Sequence, residues 1–185
     1  DPGRFGLARW LLVPPWIEST EKLKTLKIWT ANARIEELQN KPLYRPLIEA
    51  NRCVVVFTGF YEWRHEPDGS KTRYLLKFPE DKPLVLPGLY RRGMIDDEPY
   101  WSCTVCTMEA RGIMRYIHNS TLRQPVVTGR PGLEAWLDGS VPFDTARQTV
   151  LENELSGDFV AAPPVGTEGT TVTGTPELPF DVPEP

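Results

Sequence analysis

The chain lacks the signatures of several large protein classes. Its 185 residues include only three cysteines, too few for a disulfide framework, so a reduced cytoplasmic setting fits best. No run approaches the ~18 apolar residues of a membrane helix, and no basic region followed by an apolar stretch marks a signal peptide. We therefore expect a cytoplasmic protein, associated with the nucleoid if bacterial, that has no membrane partner. The Walker loop, Gly-x-Gly-x-x-Gly and Gly-x-Ser-x-Gly are also missing.

The charge is unevenly distributed along the chain. The net charge is −4, yet residues 151–185 hold seven acidic residues and no Lys or Arg. Residues 1–150 keep 18 acidic and all 21 basic residues, a balance of +3. Because phosphate binding depends on local clusters and not on the total, the body can still carry a basic groove. The alternative is a mildly charged body with a solvated tail.

The composition predicts one domain followed by a tail. Hydrophobic residues make up 40% and charged residues 25% of the chain, as in soluble globular proteins. We place the domain at residues 1–160 and a Pro-rich, acidic tail at residues 161–185, since six prolines occur from Pro163 onward.

Strands are predicted in the middle of the chain, with short helices around them. Alternation predicts a strand at residues 60–65, a turn at 67–70 and a returning strand at 72–78. The other predicted strands are 9–13, 53–57, 84–90 and 100–108, the predicted helices are 20–27, 43–50, 109–116, 131–138 and 144–155, and 30–34 is predicted to be a loop. Without βαβ regularity, this order favours an α+β fold with an antiparallel sheet.

Glu62 is the first candidate for chemistry. It lies in Gly59-Phe60-Tyr61-Glu62-Trp63-Arg64, where alternation places it on the face of Arg64 and opposite Tyr61 and Trp63. A carboxylate among aromatic side chains is partly shielded from water, which suits it to proton transfer. The alternative is a Glu62–Arg64 pair on a solvated sheet.

Of the two histidines, His118 is the stronger candidate. His65 sits near a turn beside acidic residues and is expected to be a solvated surface residue. His118 ends a predicted short helix and is followed by polar residues and Arg123. A histidine in that position often does no more than complement the helix dipole.

Asn32, Arg34 and Trp16 could contact a nucleic acid. An amide and a guanidinium two residues apart in an extended segment point the same way and can hold a phosphate or a sugar hydroxyl. Trp16 follows two prolines in a loop, where an exposed ring can support an unstacked base, although it could equally cap the edge of the core.

The remaining aromatic and cysteine residues are expected in the core. Trp63, Trp101 and Trp136 fit core positions, as does Cys53. In Cys103-Thr104-Val105-Cys106 the two thiols face opposite sides of a strand, so we expect neither a metal site nor a cofactor.

Taken in order, these segments resemble the SOS-response-associated peptidase (SRAP) family of abasic-site processing proteins. The similar segments share short motifs in the family's order and lie between about residues 9 and 137: Arg9-Trp10-Leu11-Leu12-Val13-Pro14-Pro15-Trp16, Asn32-Ala33-Arg34-Ile35-Glu36, Lys41-Pro42, Asn51-Arg52-Cys53, Gly59-Phe60-Tyr61-Glu62-Trp63, Pro87-Gly88-Leu89-Tyr90, Ile117-His118-Asn119 and Arg123-Gln124-Pro125-Val126.

The resemblance implies an α+β fold with a twisted antiparallel sheet, a barrel-like core and short flanking helices. It implies a monomer that recognises abasic sites in single-stranded DNA during the DNA damage response. An N-terminal Cys, exposed when the protein cleaves off its own Met, would form a DNA–protein crosslink. Glu62 and His118 would transfer protons and Asn32 would orient the reacting end. Arg34, Arg123, Arg4 and Trp16 would contact the DNA.

The sequence departs from the family pattern at its beginning. The family starts Met-Cys-Gly-Arg, whereas Asp1-Pro2 precedes Gly3-Arg4-Phe5 here, and about fifty residues between that motif and the Trp10 region are missing. Leu11 and Gln124 also replace the family's Gly and Met. We expect a fragment whose authentic amino terminus lies upstream.

The alternative to a fragment is a degenerate member of the family. Such a member would bind single-stranded DNA without catalysis. A hydrolase that uses Glu62 and His118 is the weakest hypothesis, because no nucleophile signature accompanies them. Whether this chain is an enzyme stays open at this point.

Overall fold

The computed structural model describes residues 6–155, 157 and 159–162. Nine strands are assigned in this part of the chain: β1 Arg9–Trp10, β2 Asn32–Arg34, β3 Arg52–Phe57, β4 Phe60–His65, β5 Lys71–Lys77, β6 Leu84–Ile95, β7 Glu98–Glu109, β8 Arg123–Pro125 and β9 Val160–Ala162. Four α-helices accompany them: α1 Thr20–Lys24, α2 Ile113–Ile117, α3 Arg130–Leu137 and α4 Phe143–Glu152. Short 3-10 helices span Ile35–Asn40, Arg45–Leu47 and Pro79–Asp81.

The strands form two sheets. The larger sheet has six strands in the order β1-β7-β6-β3, with β2 and β8 also paired to β7. The smaller sheet has the order β4-β5-β9. The α+β class with short helices is therefore confirmed. The strands of the described residues do not close into a barrel, and β1 and β2 run parallel to β7, which the expectation of an antiparallel sheet did not include.

The described chain divides into two units. Of the residues that the structure describes, the first unit comprises 6–55, 85–108 and 125–154, and the second comprises 56–84, 109–124, 155, 157 and 159–162. Asn32 and Arg34 belong to the first unit, whereas Glu62 and His118 belong to the second. The expected tail begins within β9 and continues over residues 163–185, which lie outside the described residues.

The first unit is organised around a hydrophobic core. Trp136 of α3 is fully buried, and its indole N–H donates to the carbonyls of Cys53 at 2.9 Å and Gly88 at 3.1 Å. Its ring meets Phe143 of α4 edge-on, with centroids 6.1 Å apart. β6 and β7 approach closely at Gly88, where a Cβ atom would lie 2.4 Å from the Thr104 carbonyl oxygen. The predicted core position of Trp136 is thus confirmed.

The second unit is built on the β4–β5 hairpin. Phe60 pairs with Leu76 and His65 with Lys71 in antiparallel register, and the turn between the strands is closed by hydrogen bonds between Glu66 and Ser70 and between Gly69 and Glu66. The residues of β4 alternate between half-buried and exposed, as the sequence predicted. Trp63 is exposed, so its predicted core position is wrong, as is that of Trp101 in the first unit.

The remaining local predictions have mixed outcomes. Ser19 caps α1 by accepting from the Lys22 N–H at 3.3 Å, and the helix ends at Lys24 and not at residue 27 as predicted. Residues 32–34, predicted as a loop, form β2 because they pair with β7, which is distant in sequence. The helix expected over 43–50 is reduced to the 3-10 turn Arg45–Leu47. No helix in the described residues is both long and apolar enough to cross a bilayer.

Candidate functional site

The second unit places Glu62 beside His118. Oε2 of Glu62 lies 3.6 Å from Nδ1 of His118, and the two side chains are 22% and 20% exposed. Glu62 comes from the centre of β4, and His118 is the residue at which α2 ends. A carboxylate and an imidazole that are 56 residues apart in the sequence thus lie next to each other. Both side chains are largely buried but remain accessible to solvent.

Both nitrogens of the His118 ring have further partners. Nδ1 lies 2.7 Å from the carbonyl oxygen of Arg123, and Nε2 lies 3.0 Å from the hydroxyl of Thr121. Because a carbonyl can only accept, Nδ1 donates in the first contact, and in the neutral ring Nε2 accepts from Thr121. The Arg123 carbonyl therefore fixes the ring tautomer and leaves Nε2, beside the Thr121 hydroxyl, as the nitrogen that can accept a proton.

Arg64 holds the helix that carries His118 against the strand that carries Glu62. Its guanidinium donates to the carbonyl of Tyr116, lies over the Tyr116 ring at 3.8 Å and pairs with Glu66 at 3.2 Å. The alternative interpretation, in which Arg64 is the partner of Glu62, is not what the described contacts show. Arg64 instead packs α2 against β4, and the carboxylate of Glu62 lies beside the imidazole of His118.

Asn119 makes a second connection between these elements. Its side-chain Oδ1 accepts from the His65 N–H at 3.0 Å, and its Nδ2 donates to the His65 carbonyl at 2.8 Å. The turn that follows closes with the Leu122 N–H donating to the His118 carbonyl at 3.0 Å, and Leu122 adopts a φ of 52°. This turn brings Thr121 and Arg123 to the two sides of the imidazole. No sequence motif indicated these contacts.

The other predicted site residues lie in different parts of the chain. Asn32 and Arg34 are exposed on β2, where they share a face of the strand. Arg34 pairs with Glu37 at 3.2 Å, so a phosphate would have to compete with that carboxylate. Hydrogen bonding from Lys41, and also from Arg34, lowers the pKa of Glu37. Arg123 is half-buried, and Arg4 lies outside the described residues.

Trp16 is 56% exposed and therefore does not cap the core. It sits in the turn after Pro14 and Pro15, which closes through the Ile17 N–H and the Pro14 carbonyl at 3.1 Å. Its exposure leaves the ring accessible to a base. Its proposed contact with DNA stays a prediction.

The three cysteines are poorly suited to act as nucleophiles. Cys103 and Cys106 are buried and Cys53 is partly buried. Burial raises the pKa of Cys53 to about 12 and also raises the pKa values of Cys103 and Cys106. Within the described residues, no three His, Cys, Asp or Glu side chains are grouped as metal ligands would be.

Comparison with known proteins identifies the family. The family model for SOS response associated peptidase (SRAP) matches residues 2–170. The chain belongs to the SRAP family. Among solved structures, a protein from Bacteroides thetaiotaomicron superposes on this SRAP chain with a TM-score of 0.73 at 26% identity, and the match covers 83% of this chain and 66% of that one.

Two curated relatives are named for their activity. "Abasic site processing protein YoqW" of Bacillus subtilis is 28% identical over 95% of this SRAP chain and 75% of its own length. "Abasic site processing protein HMCES" of Gallus gallus is 30% identical over 91% of this chain and 55% of its own length. The chain thus spans three quarters of one relative and about half of the other.

Proposed function

We propose that this chain senses abasic sites in single-stranded DNA as part of the DNA damage response. The observation that carries the proposal is the Glu62–His118 pair, joined at 3.6 Å in a chain that the SRAP family model matches over residues 2–170. The names of the relatives support abasic DNA as the substrate class.

Glu62 and His118 act together in proton transfer. His118, held by the Arg123 carbonyl at Nδ1, protonates the sugar ring oxygen from Nε2 and so assists opening of the abasic sugar to its aldehyde. Glu62, whose carboxylate lies 3.6 Å from Nδ1, acts in the proton transfers of Met removal and of crosslinking. Asn32 orients the reacting end, while Arg34, Arg123, Arg4 and Trp16 bind the flanking strand.

The covalent step uses an N-terminal Cys that the printed sequence does not contain. In the reaction, the α-amine attacks the ring-opened aldehyde carbon and expels its oxygen as water, which leaves an imine. The Cys sulfur then adds to the imine carbon as the thiol proton passes to nitrogen, which closes a thiazolidine. One water is released in all, and the protein becomes crosslinked to the DNA.

The test uses the chain extended so that it begins with Cys, incubated with a labelled single strand that carries one abasic site. We expect a complex that survives denaturing electrophoresis, and a rate of formation about 100-fold lower for both Glu62→Gln and His118→Ala. Glu134→Gln, which alters an exposed carboxylate of the first unit, is the control. Binding of such DNA that never resists denaturation would contradict the covalent function.

A second candidate function is binding of single-stranded DNA without crosslinking. The exposed Trp16 and Arg34 support it, because a ring and a guanidinium can bind bases and phosphates without any covalent step. It predicts binding that weakens steeply with salt and does not distinguish abasic from intact strands. Equal affinity for both strands, with no covalent product, would support this candidate over the first.

A further inference from the structure

The hydroxyl of Thr121 lies against the second nitrogen of the His118 ring. Its Oγ1 is 3.0 Å from Nε2, while Nδ1 on the other side of the ring is 3.6 Å from Oε2 of Glu62. A hydroxyl, an imidazole and a carboxylate are thus connected in that order. Hydrolases that form an acyl intermediate use this order of groups, in which the imidazole takes the proton of the attacking hydroxyl. The sequence gave no nucleophile beside Glu62 and His118, but the fold provides one.

The tautomer of His118 is the one that a general base requires. Nδ1 carries the proton because it donates to the Arg123 carbonyl at 2.7 Å, and a carbonyl can only accept. The lone pair of Nε2 therefore accepts the hydrogen bond from Thr121. The imidazole can then receive the hydroxyl proton as Oγ1 attacks a substrate, since the two atoms are within hydrogen-bond reach.

The turn that carries Thr121 has a strained backbone. Leu122 adopts a φ of 52°, in the left-handed region that is unfavourable for a leucine. Two hydrogen bonds hold it there, from the Leu122 N–H to the His118 carbonyl at 3.0 Å and from the Ala110 N–H to the Leu122 carbonyl at 2.8 Å. Strained residues concentrate at active sites, and a sharp turn exposes the nucleophile of many hydrolases. Thr121 is likewise exposed, so a substrate can reach its hydroxyl.

The surroundings of Thr121 favour small and reactive acyl groups. In many hydrolases the N–H of the residue after the nucleophile stabilises the negative oxygen of the tetrahedral intermediate. Here the Leu122 N–H already donates to the His118 carbonyl. Esters with a good leaving group depend least on that stabilisation, and amides depend on it most. The side chain of Leu122 is 37% exposed and offers an apolar contact for a short acyl chain.

We propose that Thr121, His118 and Glu62 give the chain a further activity, the hydrolysis of short-chain carboxylic esters. Oγ1 of Thr121 bonds to the ester carbonyl carbon while its proton passes to Nε2 of His118. The bond from this carbon to the alcohol oxygen then breaks, the alcohol leaves with that proton, and the acyl group stays on Thr121. Water attacks the acyl carbon next, gives a proton to Nε2 and releases the acid as the hydroxyl is restored. This activity requires neither DNA nor an N-terminal Cys.

The experiment uses the chain with the printed sequence and follows release of p-nitrophenol from p-nitrophenyl acetate. We expect Thr121→Val, which keeps the shape of the side chain but lacks the hydroxyl, to lower kcat/KM about 100-fold, and His118→Ala to do the same. Thr121→Ser should retain most of the rate because it keeps the hydroxyl. Peptide mapping of acid-quenched reactions should find an acetyl group on Thr121 in the parent chain and none there in His118→Ala.

Two substitutions serve as controls. Ser120→Ala removes the adjacent exposed hydroxyl, and His65→Gln removes the other imidazole of the chain. Both should leave the rate unchanged, and urea unfolding verifies that every variant is folded. An unchanged rate in Thr121→Val would overturn the proposal, as would acetylation of lysines without any acetyl group on Thr121.

The same variants separate this activity from the proposed function. Loss of ester hydrolysis in Thr121→Val, with or without crosslinking by the Cys-extended parent chain, would support Thr121 as the nucleophile. A parent chain that hydrolyses the ester no faster than His118→Ala would overturn the esterase activity alone, because crosslinking of abasic DNA is measured independently.

Discussion

The two units use different interactions to hold their elements together. The first unit has a core of apolar side chains from its sheet, α3 and α4, and Trp136, Phe143 and Val150 are among its most buried members. The second unit also buries apolar residues such as Leu76 and Met114, but polar side chains join its strand to its helix. Apolar packing tolerates small shifts, whereas hydrogen bonds fix direction and distance. The proposed acid–base pair accordingly lies in the unit where polar contacts position the elements.

The largest expected effect tests the apolar side of this comparison. Trp136→Ala removes a fully buried ring and both of its hydrogen bonds, so we expect the free energy of unfolding to fall by about 3–5 kcal/mol. Urea titration followed by circular dichroism measures this loss. Leu137→Ala, the adjacent and partly exposed position on α3, should cost clearly less. Equal decreases in the free energy of unfolding for the two variants would show that the buried Trp136 contributes no more to stability than the exposed Leu137.

A smaller effect concerns the pH dependence of the first unit. Burial raises the folded-state pKa of Cys53 to about 12, whereas an unfolded cysteine titrates near 8.5. The folded state then binds more protons between these values, so stability is present below about pH 8.5 and is lost as the pH rises above it. The loss should be about 1.4 kcal/mol per pH unit for this thiol.

Urea unfolding at pH 8, 9 and 10 measures that loss as the difference between the parent chain and Cys53→Ala. The substitution lowers stability at every pH through lost packing, but it should flatten the slope. Parallel curves for the two proteins would show that ionisation of Cys53 does not limit stability.

The smallest expected effect tests the polar side of the comparison. Asn119→Ala removes both hydrogen bonds to the backbone of His65. We expect about 1 kcal/mol of local destabilisation, seen as faster hydrogen exchange of the His65 amide. Exchange at Leu89, in the core of the first unit, should not change. Equal acceleration at both amides would mean that the polar contacts of the second unit support the whole chain.

The sequence predicts a strand or turn well where the pattern of neighbouring residues determines it. The alternation from Phe60 to His65 and the turn after it predicted β4 and its partner to within a residue. β2 was missed because its three residues become a strand only by pairing with β7, about seventy residues away. The helix predicted over 144–155 is α4, which begins one residue earlier, at Phe143, and ends at Glu152.

The sequence identifies which residues belong to the candidate site, but it does not predict how their side chains are placed relative to one another. Glu62 and His118 could be nominated from their residue types and from the family resemblance, yet nothing in either segment encodes a 3.6 Å separation. The partners of the imidazole depend on the turn through Leu122, which adopts a positive φ. A glycine at this position would have indicated such a turn, but the sequence has leucine there. Trp63 was assigned to the core because large rings usually are buried, and its exposure follows from the face of β4 it occupies.

The contact between Asn119 and His65 has a consequence for solubility. β4 ends the order of its sheet, and an unpaired strand edge invites the strand of another molecule to add to it. The amide of Asn119 occupies the N–H and carbonyl of His65 as a neighbouring strand would. The turn that orients the imidazole thereby also covers the end of this edge at His65, where the strand of another molecule would otherwise pair.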